Sequence, residues 1–387
     1  MPLIAVIGQS KAPDGREAGA QAARQAIEQV GRLPVIFGIL IASHSLAFDQ
    51  VISGATALLG DTPLLGFTTS AEIHSGEVHQ RSVVIALIAG TEVSARVDFW
   101  SGFGEDSRSA SQKMVYALQP RQESGTLLIV ADGFHGDPKD LCNALPSGSY
   151  TLAGCLAGGE LRQARTFQLG GRQSGNSGLA AAYLDGKIAA GVGMGHGWQD
   201  VGVYFQVTRV RGPWIRTLNK LPAAEAYARW LGYEAREWSF PPLNEIVRLY
   251  PLGIEKGDSK NLLIRSPLRM ESDGSLRMHT VLSEGEIAHL LVGNPASCLK
   301  SAEETAAQAL KSLGKARPIL GIVLPDISWR MLLETQPGVE IEGVRKTLGG
   351  HIPLIGGYTF GQIANLNQTP EFHNQQIEVI VLGEVVD

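Results

Sequence analysis

The feature that most constrains the fold is a short pattern written three times along the chain. Leu-x-Gly-x5-Glu/Gln occurs at Leu64, Gly66 and Glu72, at Leu152, Gly154 and Glu160, and at Leu354, Gly356 and Gln362. The first and third copies agree further: PLLGFTTSAEI (63–73) against PLIGGYTFGQI (353–363) keeps proline, leucine, glycine, threonine and isoleucine at the same offsets. The template is short, so its context carries the weight. Each copy follows a helix signal: 16–30 stopping at Gly31, 107–118 followed by Pro120, and 302–313 after Ser301, with Glu304 at capping-box spacing and Gly314 as the stop. A short apolar, β-branched run comes next (34–41, 126–131, 318–324), of strand length. A turn-and-helix stretch follows (49–59, 138–145, 339–348), then the patterned strand, then one more strand (83–89, 179–184, 377–382).

This period is too long and too mixed for a helical or leucine-rich solenoid. It predicts an α/β fold of pseudo-symmetric helix–strand–helix–strand units. The units form mixed sheets covered by helices, the arrangement that buries such strands. Glycine is abundant, 46 of 387 residues, against ~7% in an average protein. With no collagen period, it implies tight turns and close backbone approaches.

Between the second and third copies lies a strand-rich insertion. It opens with Gly191, Gly193, Gly195 and Gly197 alternating with Val192, Met194, His196 and Trp198. Period two leaves one strand face bare, open to another chain or a ligand. A helix opens at Pro222, with Tyr227, Trp230 and Leu231 on one face and Gly232 as its stop. Pro241-Pro242 is the strongest linker signal. It predicts an N-terminal domain over 1–238, holding two repeats plus the strand-rich extension, and a C-terminal domain over 243–387 with the third repeat.

A composition of 44% hydrophobic residues supports a large core, and a net charge of −5 with no basic block argues against a nucleic-acid partner. No apolar run approaches the ~18 residues of a membrane span, so no membrane insertion is expected. Met1-Pro2-Leu3-Ile4 has no basic leader region. Cys142, Cys155 and Cys298 are few, odd in number and far apart, which disfavours a disulfide framework or a zinc site. These features read as a reduced, cytoplasmic protein.

Strong catalytic motifs are missing, so no catalytic residue and no enzyme is expected; SxxK at Ser297–Lys300 is too short to count. The repeat loops hold the candidate binding groups: Thr68, Thr69 and Glu72 in the first, Cys155 and Glu160 in the second, Tyr358, Thr359 and Gln362 in the third. In α/β sheets ligands sit beyond the carboxyl ends of strands, and hydroxyls with a carboxylate suit an ammonium or hydroxyl group. The competing reading is tight turns whose polar groups cap backbone donors. Cys155 also reads as a small buried hydrophobe. Asp132 to Asp137 reads as a turn and helix cap or, more remotely, as a metal loop. His196, His351 and His373 each have the chemistry of a haem axial ligand, or of a hydrogen-bonded histidine at a strand end.

Five stretches in order resemble the FIST family: FGILIASHSLAFD (37–49), GFTTSAEI (66–73), GVGMGHGWQDVGVYFQVT (191–208), LNKLPAAEAY (218–227), and 353–363 with Phe372-His373-Asn374. Three positions depart from the family pattern. Phe67 replaces a small residue or cysteine, Gln362 a glutamate, and Cys155 a second glycine. The resemblance implies a stand-alone sensory protein that binds a small ligand such as an amino acid and signals through a partner, a histidine kinase or another signalling protein. The alternative it implies is a haem-binding nitric-oxide sensor, with His351 or His373 as axial ligand.

Overall fold

The computed structural model describes residues 2–120, 125–148, 150–161, 163–255, 262–366 and 368–386. The first repeat runs β1 (Ile4–Ser10), α1 (Gly15–Val30), β2 (Val35–Ser43), α2 (Phe48–Leu59), β3 (Leu64–Thr69), a hairpin of β4 (Glu72–His74) and β5 (Glu77–His79), and β6 (Val83–Ala89). The second repeats this order: β7 (Val93–Trp100), α3 (Ser107–Leu118), β8 (Thr126–Ala131), α4 (Pro138–Ala144), β9 (Thr151–Leu156), a hairpin of β10 (Gln168–Gly170) and β11 (Gln173–Gly175), and β12 (Leu179–Gly186).

The third repeat begins at β13 (Ile188–Gly195) and is interrupted at once. The interruption holds β14 (Trp198–Arg211), β15 (Trp214–Leu218), β16 (Leu221–Pro222), α5 (Ala223–Leu231), α6 (Leu243–Ile246), β17 (Leu252–Ile254), β18 (Leu263–Arg265), β19 (Pro267–Met270), β20 (Leu276–Met278) and β21 (Ile287–Gly293). The repeat resumes with α7 (Pro295–Leu313), β22 (Arg317–Pro325), α8 (Ile327–Leu332), α9 (Val339–Leu348), β23 (Leu354–Gly357), a hairpin of β24 (Gly361–Leu366) and β25 (Thr369–His373), and β26 (Ile377–Glu384).

Three six-stranded sheets share one plan: β1-β6-β2-β3-β10-β11, β7-β12-β8-β9-β24-β25, and β13-β26-β22-β23-β4-β5. In each, the inner pair is parallel: Gly66 lies opposite Leu40, Gly154 opposite Ile129, and Gly356 opposite Val323. Each hairpin leaves its own repeat and completes the sheet of another. The first repeat's hairpin joins the third sheet, the second repeat's joins the first, and the third repeat's joins the second. The expected mixed α/β repeats are present, and this exchange is what the sequence pattern did not reveal.

The repeated glycine has a steric cause. A Cβ at Gly356 would lie 1.9 Å from the Val323 carbonyl oxygen, at Gly154 2.1 Å from that of Ile129, and at Gly66 3.0 Å from that of Leu40. Inward-facing residues of the three sheets meet in one core: Ile39, Leu65 and Val84, then Leu128, Ala153 and Ala180, then Ile322, Ile355 and Ile380. Helices cover the outer faces. On the first sheet α1 and α2 lie backbone to backbone, since a Cβ at Gly54 would fall 1.9 Å from the Arg16 carbonyl oxygen. The bare face of β13 accepts α7 of this same chain, with Cβ positions at Gly191 and Gly193 each 2.1 Å from the Ala309 and Thr305 carbonyls. An internal helix thus fills the space expected for another chain or a ligand.

The chain divides into two compact units, 1–196 with 299–372 and 376–387, and 197–298 with 373–375. The Pro241-Pro242 dipeptide, the expected linker, lies inside the second unit. The cause is strand pairing: β14 pairs with β21 across that dipeptide, from Trp198 opposite Gly293 to Gln206 opposite Ile287. The second unit has its own sheet and its own core, in which Phe205, Tyr227, Trp238 and Leu252 are buried.

Candidate functional site

The parallel strands all end at one place. There the loop after β3 interlocks with the loops after β9 and β23. The Ser70 N–H donates to the Tyr358 carbonyl (3.1 Å), the Tyr358 N–H to that of Ala71 (3.0 Å), the Gly158 N–H to that of Thr68 (2.8 Å), and the Phe360 N–H to that of Leu156 (3.0 Å). The Thr68 hydroxyl donates to the Gly158 carbonyl (3.0 Å) and the Ser70 hydroxyl to that of Gly159 (2.7 Å). Gly158 sits at the crossing, where a Cβ would be 2.2 Å from the Tyr358 carbonyl. The three repeat loops thus converge, which the pattern alone left open.

Most of the expected binding residues build this junction from within. Thr68, Thr69, Glu72, Cys155, Tyr358, Thr359 and Gln362 are all buried, and Glu160 is half-buried. Glu72 accepts from the Thr69 hydroxyl (2.9 Å) and from the Ser82 N–H and hydroxyl (2.9 and 2.8 Å). Burial pushes its carboxyl up to about 7 despite these bonds. Gln362 repeats the arrangement: its amide donates to Thr359 Oγ1 (3.4 Å) and its oxygen accepts from the Gln376 N–H (3.3 Å). Tyr358 donates its hydroxyl to the buried Glu340, whose carboxyl burial holds above the usual range.

Register identifies the second-repeat counterpart of these clamps, and it is not Glu160. Glu72 lies opposite Gly357 and Gln362 opposite Cys155, each one past a repeat glycine; Gln168 lies opposite Phe67, one past Gly66. Gln168 donates to Thr166 Oγ1 (2.9 Å) and accepts from the Gly178 N–H (3.0 Å), as its counterparts do. The second hairpin simply starts later after its glycine, so Glu160 stays in the connecting loop.

Two side chains that the pattern did not flag join Glu160. His44 follows β2 and Arg330 lies in α8; both are half-buried. Arg330 donates to the Ser70 carbonyl (2.8 Å), tying the third repeat to the loop of the first. Burial holds the His44 imidazole below its usual range, with the Glu160 carboxylate opposing and the Arg330 guanidinium reinforcing the shift. His44 Nδ1 is buried and has no partner among the described residues. The convergence therefore brings together a guanidinium, a carboxylate and an imidazole whose charged form burial disfavours. The signal for His44 was present, in the Ser43-His44-Ser45 that ends β2; Arg330 carried none.

Elsewhere the candidates are committed. The Asp132 carboxylate caps the turn after β8, accepting from the Phe134 and His135 N–H groups (2.8 and 2.7 Å) and from the Thr166 hydroxyl (2.8 Å). Cys155 is fully buried, and burial drives its thiol well up, followed by the nearby Glu378 carboxyl. An activated thiolate needs the opposite environment. Glu378 stands in the core position held by Val84 and Ala180 in the other repeats, and burial drives its carboxyl well up too.

His351 is exposed and borders a pocket of about 230 Å³ that includes Arg345, Gln29 and Ser75. Sites that bury drug-sized ligands run to about 300–1,000 Å³ with mostly apolar walls, and a haem is larger than most such ligands. His373 is buried and has polar interactions of its own. Neither setting fits a haem. No helix among the described residues is long and apolar enough to cross a membrane.

Comparison with known proteins adds the family. A search of curated proteins finds no match. Among solved structures, cyanuric acid hydrolase from A. caulinodans is similar at 8% identity and TM-score 0.36, each chain covered in full. PurLQS from Thermotoga maritima is similar at 11% identity and TM-score 0.25, over 99% of this chain and 72% of that one. Such values carry no argument about activity. The FIST N domain model matches residues 36–220 and the FIST C domain model 223–365. FIST domains are associated with sensory signalling and small-ligand binding, and with both models matched in order the chain belongs to the FIST family.

Proposed function

We propose that the chain is a cytoplasmic, non-enzymatic sensor that binds a small ligand where its three repeat loops converge and signals through a partner protein. The observation that carries this reading is the grouping of His44, Glu160 and Arg330 at the loop junction, where Arg330 bonds the Ser70 carbonyl and both charges act on the His44 imidazole. The guanidinium suits a carboxylate, the Glu160 carboxylate an ammonium, and the orphaned imidazole nitrogen a polar group between them. A small zwitterion such as an amino acid has this chemistry. Thr68, Thr69, Glu72, Tyr358, Thr359 and Gln362 shape the site by holding its loops.

A ligand signals only by binding one conformation better than another. Arg330 offers the means, because the bond it gives the Ser70 carbonyl is in competition with a ligand carboxylate. Isothermal titration across amino acids should find at least one saturable ligand. Arg330→Gln and Glu160→Gln should each weaken it about tenfold or more, the scale of one charge-assisted hydrogen bond. No heat and no thermal shift with any of them, or unchanged affinity in both variants, sinks the reading.

A further inference from the structure

The three-way symmetry is broken at one corner, and the break leaves a pocket. Each sheet begins with an edge strand, β1, β7 or β13. In the second repeat the hairpin residue Gly170 packs directly against its edge strand: a Cβ there would fall 2.0 Å from the Asp98 carbonyl on β7. Register places His74 at this position in the first repeat's hairpin and Ala364 in the third's, each two past its clamp residue. Glycine permits contact; an imidazole does not. At the β1 corner a space of about 230 Å³ remains.

Its walls are polar. Ala5 and Ile7 line it from β1, a strand that pairs only with β6 among the described residues. Gln29, Ser75, Arg345 and His351 are the polar residues that line it. The Gln29 amide already donates to the Ile7 carbonyl (2.7 Å), so it joins helix and strand at the rim. Arg345 commits its Nε to Glu342 (3.2 Å). A guanidinium carries five donors, so the terminal amino groups remain for an incoming oxyanion. The volume suits a few heavy atoms.

We propose that this corner is a binding site for a small oxyanion, a carboxylate or a phosphate, held by Arg345 and His351 against the free edge of β1. The site is separate from the loop junction and does not depend on the sensory reading above. It also gives His351 a role as a hydrogen-bond donor to the anion.

The test is a titration of the full chain with inorganic phosphate and, separately, with succinate, which also tells the two anion classes apart. At least one should bind saturably. Arg345→Gln should weaken it about tenfold. Gly350→Phe should abolish it by filling the pocket: a Cβ there meets only Arg345 Nη1, at 3.7 Å, and Gly350 is not among the glycines of positive φ. Both variants should melt as the wild type does without anion, and Arg330→Gln should bind as the wild type does. The assignment is overturned if neither anion saturates the wild type, if binding is lost with Arg330→Gln instead, or if both corner variants bind normally.

Discussion

Alanine at Gly356 is expected to cost the protein about 3 kcal/mol or more, for the addition of one methyl group. Overpacking a well-filled interior typically costs about 1–3 kcal/mol, and here the obstacle is a backbone carbonyl in a parallel pair. The added carbon would stand 1.9 Å from the Val323 oxygen, so the two strands must part. The same change at Gly66 faces 3.0 Å and should cost about 1 kcal/mol. Denaturant melts of the two variants, at constant slope, decide the matter. Equal losses would show that the repeated glycine answers to something other than strand approach.

The second large effect runs the other way. Glu72→Gln should stabilise the protein above neutral pH by about 3 kcal/mol. The carboxyl titrates near 7 in the fold, mainly through burial, against 4.5 when unfolded. The folded state therefore binds the proton more tightly. Its stability is greatest below pH 4.5 and declines as pH rises through 7, by about 1.4 kcal/mol for each pH step of one across that window. Glutamine removes this decline and keeps the geometry, since Gln362 and Gln168 already perform the same clamp. Glu72→Ala should destabilise at every pH, leaving the Ser82 N–H and the Thr69 and Ser82 hydroxyls unmatched. Urea melts of the three proteins at pH 5 and pH 8 give the comparison. A glutamine variant with the wild-type difference between those conditions would show that Glu72 is not the group that titrates. Glu340 and Glu378 lean the same way and leave a residual slope in all three.

The repeats were legible because their inner strands are buried on both faces and so read as unbroken apolar runs. The loop junction was half legible. Its threonines and the Glu72–Gln362 pair recur in sequence because they make the same bonds, whereas Gln168 is displaced along the chain by a longer loop. His44 and Arg330 were missed for a different reason. One follows β2 and the other lies within α8, so they share no offset in the repeat, and nothing in the sequence marks them as neighbours. Pro241-Pro242 punctuates the chain locally, but the pairing of β14 with β21 is a long-range event that composition does not report. The edge strands β1 and β7 escape the repeat pattern, and the glycines of β13 read as the start of the insertion. An edge strand with one wet face has too weak a pattern to stand out beside the buried ones.

The exchanged hairpins have a consequence for how the protein is made and how it responds. Each repeat lends a piece to another in a closed round, so none is finished by itself. The third sheet joins Glu72, near the start of the chain, to Gly357, near its end. Contacts of such separation are slow to form. During synthesis the first hairpin must wait for the last repeat before it has a sheet to join, and the round closes only when the final strands arrive. The loops at the junction are where each chain segment crosses to its neighbour's sheet. Any molecule bound there would hold the three crossing points of the round together, and its binding energy would be felt by all three repeats at once.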